Sequence, residues 1–297
     1  MVNTLVGLTV NGLAMGVIYA LIAMGLVLLV RAVGIMNFAQ GDLLMLGAYI
    51  SCALIVDLKL PFWAFVPVAL ISFAIVGIIF MATTYWPLRN ASYPQAVIIA
   101  TMGAGYALKE LVQMAWGSIP RTMLPLVIDP KTGSAAILRF FGVNLQWQFV
   151  LIIGVCAMLI LMVFILFEKL YAGRMMQAAA QDKYAAELLG IPTVLTIAVT
   201  YILVNIVVSI GGYMVAPIYF ASTTLANLQL RAFAGVVLGG FGNLKGAVYG
   251  SLIIGLVESY STLKWSSYKD AVVFIVLILV LIVRPQGIFR EKIADKA

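Results

Sequence analysis

Residues 5–30 read LVGLTVNGLAMGVIYALIAMGLVLLV, an apolar run that contains no charged side chain. A helix rises ~1.5 Å per residue and the hydrocarbon core of a bilayer is ~30 Å thick, so about 20 apolar residues cross it. The run is longer than that, and no basic residue precedes Arg31. It therefore predicts a first membrane-spanning helix and does not fit a cleaved signal peptide.

Similar apolar runs follow along the rest of the chain. They cover residues 41–56, 61–82, 94–116, 149–167, 194–213 and 271–283. A longer apolar stretch, 230–260, contains a glycine-rich interruption that would divide it into two shorter helices. The sequence predicts an all-α integral membrane protein of eight to nine transmembrane helices in a single domain, 1–297. We expect helix interruptions near 34–42 and 239–246.

Composition supports the bilayer as the solvent of this protein. Hydrophobic residues make up 64% of the chain and charged residues 10%, whereas soluble domains carry about 25% charged residues. The net charge of +7 comes from dispersed Lys and Arg without a basic cluster, which argues against nucleic-acid binding. The chain has no histidine, and both cysteines lie in apolar runs. We therefore predict neither a metal site nor catalysis by this chain.

The distribution of basic residues predicts an orientation. If Arg31, Arg89, residues 169–183 and the tail 284–296 face the cytoplasm, the amino terminus is outside and the carboxyl terminus inside. Placing Lys245 inside as well requires nine crossings.

Residues 168–192, EKLYAGRMMQAAAQDKYAAELLGIP, predict a soluble helix between two spans that ends at Gly190 and Pro192. A helical wheel separates two faces. One carries Arg174, Gln177, Gln181 and Tyr184, and the other carries Met175, Ala179, Ala186 and Leu189. Asp182 would project from the small apolar face, where it needs a partner. Such a helix fits a groove on a soluble protein, or it lies on lipid headgroups.

Several motifs resemble permeases of the branched-chain amino-acid ABC transporter family, of the LivH type. Residues 171–192 are similar to the coupling segment of these proteins. The motifs NGL (11–13), GVIYAL (16–21), GIMNFAQGDL (34–43) and GGFGNLKGA (239–247) add to the match. Many relatives have His where this chain has Gln40, so a titrating group there is not part of its mechanism.

The resemblance implies an importer in the bacterial cytoplasmic (inner) membrane. Two identical or related permease subunits would form the pore, two cytoplasmic ATPases would hydrolyse ATP-Mg, and an external solute-binding protein would deliver the substrate. This chain itself would bind no cofactor and hydrolyse nothing. Branched-chain amino acids are the first expected substrates, with urea, short amides or other amino acids as alternatives. Contact with the ATPases would involve Gly173, Arg174, Gln177, Gln181, Asp182, Glu187 and Gly190.

Polar residues inside the apolar runs are candidates for the translocation pathway. Asn37, Gln40 and Asp42 interrupt the second run, and Asn11 and Asn205 lie within other spans. Unpaired polar groups are costly in hydrocarbon, so we expect these to face protein or a watery cavity. The alternative is an ordinary turn with Asp42 near a helix amino terminus, and cross-helix bonding for Asn11 and Asn205.

Few ionisable residues lie within the spans. Lys109 and Glu110 are adjacent and point about 100° apart, so they cannot pair, and Lys109 is expected to extend to an interface. The roles of Lys109, Glu110 and Glu258 stay open. The scarcity of buried acids disfavours an ion-coupled secondary transporter. Glycines 7, 12, 16, 246, 250 and 255 predict close helix packing.

Overall fold

The computed structural model describes residues 2–89, 93, 95–129, 135–140, 143–284 and 286–289. Within these ranges the chain is mostly helical, as predicted, and also contains one short pair of antiparallel β-strands within residues 137–146. The elements are α1 (Val2–Val33), α2 (Gln40–Cys52), α3 (Phe62–Phe80), α4 (Gln95–Trp116), β1 (Ile137–Phe140), β2 (Val143–Gln146), α5 (Trp147–Lys169), α6 (Tyr171–Gln181), α7 (Lys183–Leu188), α8 (Thr193–Tyr219), α9 (Leu228–Gly239), α10 (Leu244–Trp265) and α11 (Lys269–Val283).

Six stretches of the described residues are long and apolar enough to cross a membrane. They are Asn3–Val33, Gln40–Asp57, Phe62–Leu88, Trp147–Lys169, Thr193–Tyr219 and Leu244–Val283. The last contains both α10 and α11, which a short 3-10 turn, Ser266–Tyr268, joins. The protein is therefore a multi-pass membrane protein.

The two predicted helix interruptions are present. α1 ends at Val33, Gly34 has a positive φ of 74°, and α2 begins only at Gln40. α9 ends at Gly239, where Gly240 has a φ of 105°. Glycine adopts such angles without the steric cost that a side chain brings.

A third interruption was not predicted. α8 ends at Tyr219, Phe220 has a φ of 61°, and a 3-10 helix, Thr223–Asn227, precedes α9. As a result α2 and α9 are both short α-helices that follow an interruption: residues 34–39 precede α2, and residues 220–222 with the 3-10 helix precede α9.

α1 is the centre of the helical bundle. Ile18 and Tyr19 are fully buried, and α1 packs against α5, α8, α9 and α10. Close approach to α10 depends on glycine, because a Cβ at Gly12 would lie 3.0 Å from the carbonyl oxygen of Gly255. The predicted glycine packing is therefore found between these helices. Gly7 is different, since a Cβ there would meet nothing within 4 Å.

The ends of the helices define two sides of the bundle. On the first side, Arg121 forms an ion pair with Asp57 and a backbone bridge with Ala221. The hydrogen bond to Asp57 raises the pKa of Arg121 above its ordinary value. On the second side, Arg31 Nε donates to the Gly242 carbonyl over 2.5 Å, and α6 packs against the end of α5. The chain alternates between the two sides.

Candidate functional site

The segment between α1 and α2 is folded into the protein interior. Asn37 is fully buried, and its Oδ1 accepts a hydrogen bond of 2.9 Å from the Ala39 N–H. The Phe38 N–H donates to Thr101 Oγ1 in α4 over 3.2 Å. These bonds satisfy backbone donors that a non-helical segment would otherwise leave unpaired. They hold the start of α2 against α4.

The first turn of α2 meets the first turn of α9. The Gly41 N–H donates to Gln229 Oε1 over 2.7 Å, and a Cβ at Gly41 would overlap the Ala226 carbonyl oxygen. The side chains of the N-cap residues, Ala39 and Asn227, make no capping hydrogen bond to their own helices. The positive ends of the two helix dipoles therefore lie close together.

This meeting point lies well inside the bundle. A Cβ at Gly25 would lie 3.2 Å from Gln40 Oε1, which places the start of α2 beside Gly25. Gly25 is eight residues before the end of α1 at Val33 (33 − 25 = 8), which corresponds to about 12 Å along a helix.

Asp42 forms an ion pair with Lys109 at this point. The distance from Oδ1 to Nζ is 3.6 Å, and Asp42 is 7% exposed. Gly105 permits this position, because a Cβ there would overlap Asp42 Oδ2. Lys109, which was expected to extend to an interface, thus has a charged partner in α2, and its side chain remains 27% exposed. Asp42 Oδ1 makes no hydrogen bond to any described residue.

A cavity of about 190 Å³ adjoins the ion pair. It is lined by Phe38, Asp42, Met102, Tyr106, Lys109, Ala226, Asn227, Gln229 and Leu230. Gln229 is 6% exposed, and its Nε2 makes no hydrogen bond to a described residue. Tyr106 and Leu230 are 68% and 53% exposed, so the cavity opens at the surface of α4 and α9. It thus offers charges of both signs beside two helix amino termini.

The structure separates the five predicted pathway residues. Asn37, Gln40 and Asp42 lie together at the start of α2, as their spacing indicates. Gln40 is fully buried, and neither polar atom of its side chain bonds to a described residue. Asn205 instead links α8 to α3 by donating to the Phe73 carbonyl over 2.5 Å. Asn11 lines a different cavity, of about 30 Å³, beside Glu258.

Glu258 is the centre of a second buried ionic group. Its carboxylate accepts a hydrogen bond of 2.5 Å from Tyr19 and lies 3.3 Å from Arg231 Nε and 3.8 Å from Lys269 Nζ. Arg231 also donates to Asp270 over 2.6 Å. These contacts join α1, α9, α10 and α11, so the structure gives Glu258 a structural role.

The segment between α5 and α8 consists of two helices. The predicted single helix is wrong, because α6 ends at Gln181 and α7 begins at Lys183. The residue between them, Asp182, is exposed and has an extended backbone, and its Oδ1 accepts a hydrogen bond of 3.0 Å from the Ala185 N–H. It therefore caps α7, and the partner predicted for its carboxylate is local.

Three other residues of this segment hold it to the bundle. Gly173 is buried, and a Cβ there would overlap the Leu166 carbonyl oxygen at the end of α5. Gln177 Nε2 donates to the Phe167 carbonyl over 2.7 Å, and Thr193 Oγ1 in α8 donates to Glu187 Oε1 over 2.6 Å.

The opposite surface of the segment is exposed. Arg174 and Gln181 are polar members of it. Its apolar members are Tyr171, Tyr184, Leu188 and Leu189, which are 75%, 73%, 72% and 81% exposed. The prediction that Leu189 shares the face of Ala179 and Ala186 is wrong, because both alanines are buried, whereas Leu189 is exposed and follows Leu188, the last residue of α7. The expected stop at Gly190 is present, with a φ of 77°.

A family model for branched-chain amino acid transport system permease components matches residues 8–281. The chain belongs to this family. The match spans α2, the segment between α5 and α8, and α9, so both sites lie inside the matched region.

Individual members of the branched-chain amino acid permease family are similar over almost the whole chain. The high-affinity branched-chain amino acid transport system permease protein LivH of Salmonella typhimurium is 31% identical over 96% of each chain. The corresponding protein BraD of Pseudomonas aeruginosa is 29% identical over 97% of this chain and 96% of its own. The solved structure of PsaBC from Streptococcus pneumoniae in complex with Fab covers 92% of this chain and 89% of that chain, with 14% identity and a TM-score of 0.47.

Sequence reasoning missed Gln229 and the partner of Lys109. In the sequence, Gln229 stands between the polar residues Asn227 and Arg231 in an otherwise apolar stretch. Its contact with Gly41 could not be inferred from this pattern, because the contact depends on the interruption before α9, which the sequence did not indicate. The contact of Lys109 with Asp42 joins α4 to α2 and has no local signature.

Proposed function

We propose that this chain is the permease subunit of an ATP-binding-cassette importer that translocates branched-chain amino acids. The observation that carries the proposal is the match of the family model over residues 8–281 together with relatives of the same length. ATP-Mg would bind and be hydrolysed on two separate cytoplasmic ATPase subunits, and this chain would perform no hydrolysis. Substrate choice among leucine, isoleucine and valine would lie mainly with an external solute-binding protein. Urea, short amides or other amino acids are the alternative substrates.

Residues 168–191 are the proposed contact with the ATPases. The exposed residues Arg174, Gln181 and Asp182, together with the apolar side chains of α7, would meet a groove on the ATPase. Gly173, Gln177 and Glu187 would transmit its movement, because they fasten the segment to α5 and α8. Gly190 would fix the direction of the chain into α8.

We propose nine crossings of the bacterial cytoplasmic (inner) membrane. The short helices α2 and α9 would each complete a crossing together with the interrupted segment that precedes it. The amino terminus would be outside, and the carboxyl terminus and residues 168–191 would be cytoplasmic. Basic residues Arg31 and Lys245 on the α6 side support this orientation. The whole chain, 1–297, would act as one permease domain.

A second permease subunit, identical or related, would complete the pore. Asp42 would line the pathway. Asn37 and Gln40 are fully buried and would hold the start of α2 in position next to it. The hydrogen bond of Asn205 to the Phe73 carbonyl favours helix packing for Asn205 over a place in the pathway. Asn11 lines the separate cavity beside Glu258.

Reconstitution into proteoliposomes tests the transport function. We expect uptake of labelled leucine only when the ATPases, ATP-Mg and the binding protein are all present. Uptake by the purified permease under a proton or sodium gradient alone would instead establish a secondary transporter.

Cross-linking tests the coupling contact. The variant Leu188→Cys should form a cross-link to the ATPase. Trp63→Cys should not, because Trp63 is also exposed but lies at the start of α3, on the opposite side of the bundle. The native Cys52 and Cys156 are both buried. Absence of any cross-link from Leu188 in native membranes would refute this contact.

A further inference from the structure

We propose that the cavity between α2, α4 and α9 is a transient binding site for the zwitterionic head group of an amino acid. The inference rests on the proposed transport function and deepens it, because it assigns substrate recognition to the permease as well as to a binding protein. The site is the 190 Å³ cavity at the Asp42–Lys109 ion pair.

Two residues that line the cavity, Gln229 and Asp42, carry buried polar atoms without a hydrogen-bond partner among the described residues. Gln229 is 94% buried (100 − 6), lines the cavity, and has a side-chain Nε2 donor without a hydrogen bond to any described residue. Asp42 Oδ1 likewise accepts no hydrogen bond from the part of the chain that the structure describes, although Lys109 Nζ lies 3.6 Å away. A buried polar atom without a partner costs free energy. Both atoms are closed off from the cavity while Asp42 and Lys109 are paired, so a ligand becomes their partner only when it separates the pair.

The charges match a zwitterion. The amino termini of α2 and α9 and the ammonium of Lys109 favour a carboxylate, as discontinuous membrane helices do in other carriers. The Asp42 carboxylate favours an ammonium group. An amino acid carries the same two charges as the Asp42–Lys109 pair, so it can separate the pair and leave each side chain with an opposite charge.

The remaining lining fits an aliphatic side chain. Phe38, Met102 and Leu230 contribute apolar surface next to the polar groups. Charged groups at an opening on the membrane-embedded surface are too costly to face lipid. The open edge at Tyr106 and Leu230 therefore faces either the second permease or the watery pathway, and substrate can reach the cavity from there.

Direct ligand binding tests this site without the binding protein. Saturation-transfer NMR on the purified permease–ATPase complex would compare L-leucine with leucinamide, which lacks the carboxylate, and with 4-methylpentanoate, which lacks the ammonium group. We expect leucine to bind and each analogue to bind roughly 10- to 100-fold more weakly, the effect of one lost charge-assisted hydrogen bond. Absence of leucine binding to the wild-type complex would overturn the proposal.

A double substitution separates a ligand site from a structural ion pair. Asp42→Asn with Lys109→Met removes both charges, and neutral replacement of a complete ion pair usually preserves folding. We expect this variant to assemble and to lose leucine binding and uptake roughly 10-fold or more. The matched control, Asp57→Asn with Arg121→Met, removes an ion pair that does not line the cavity and should keep leucine binding.

The outcomes distinguish this inference from the proposed function. ATP-dependent uptake by the wild type together with unchanged leucine binding in the Asp42→Asn/Lys109→Met variant would overturn only the site. Equal loss of binding in the Asp57→Asn/Arg121→Met control would also overturn it. Failure of the wild type to transport leucine with its ATPases would overturn the proposed function itself.

Discussion

The side-chain oxygen of Gln229 accepts a hydrogen bond of 2.7 Å from the backbone N–H of Gly41, although 188 residues separate them. A helix leaves its first N–H groups without intrahelical partners. The residue before α2 is Ala39, whose side chain cannot accept a hydrogen bond, so α9 supplies the cap that the local sequence lacks. The starts of the two short helices thus depend on each other.

Replacing Gln229 with leucine should destabilise the permease by about 1–3 kcal/mol, because the buried Gly41 N–H would lose its partner. The measurement is the midpoint of thermal unfolding of the purified protein in detergent. Gln181→Leu is the control, since Gln181 is exposed and should change the stability by less than about 0.5 kcal/mol. Equal midpoints for the two variants would contradict the role of Gln229.

Replacing Gly212 with alanine should destabilise the contact between α8 and α2. A Cβ there would overlap the Leu44 carbonyl oxygen, and such overpacking costs about 1–3 kcal/mol. Gly154→Ala in α5 is the matched control, because a Cβ at Gly154 meets nothing within 4 Å and alanine favours a helix by about 0.5–1 kcal/mol. Thermal unfolding midpoints should move in opposite directions, and a shared direction would count against this packing.

Asp182 should tolerate asparagine and not alanine. Asparagine keeps an oxygen that can accept from the Ala185 N–H, whereas alanine removes the cap and costs α7 about 0.5–2 kcal/mol. If α7 contacts the ATPase as proposed, Asp182→Ala should lower the ATPase activity that the binding protein stimulates. Equal loss in Asp182→Asn would show that the negative charge matters and the cap does not.

Glu258→Gln should strongly destabilise the protein. Removing the charge of the carboxylate leaves Arg231 with Asp270 as its remaining acidic partner and weakens the charge-assisted contacts of Tyr19, Arg231 and Lys269, which costs about 1.5–3 kcal/mol. Glu110→Gln is the control, because Glu110 is an exposed acid in α4. The yield of monodisperse protein on size exclusion and the unfolding midpoint report the difference. A Glu258→Gln variant as stable as the control would contradict the structural role of this carboxylate.

Local sequence predicted those breaks that glycine produces. The ends of α1 and α9 carry Gly34 and Gly240 with positive φ, and both interruptions were expected. The break before α9 was missed because the residue with positive φ is Phe220, which is not a turn former. The backbone of Ala221 pairs there with Arg121, so a contact across the structure stabilises this break.

The segment between α5 and α8 was also predicted only in part. Its residue composition predicted a helical segment, and Gly190 predicted where it ends. The break at Asp182 was missed because the alanine-rich pattern continues across it. Asp182 is also a residue type that commonly caps the start of a helix, but the continuous helical periodicity favoured a single helix across it.

Apolar run length, scattered basic residues and motif order determined by themselves that this protein spans a membrane, where its loops lie in the chain, and which family it resembles. Only the tertiary structure decided which polar groups meet: Asp42 with Lys109, Gly41 with Gln229, and Glu258 with Arg231. The physical reason is that hydrophobic length is a local property, whereas partners for buried charges and unpaired helix ends are chosen among distant segments by packing.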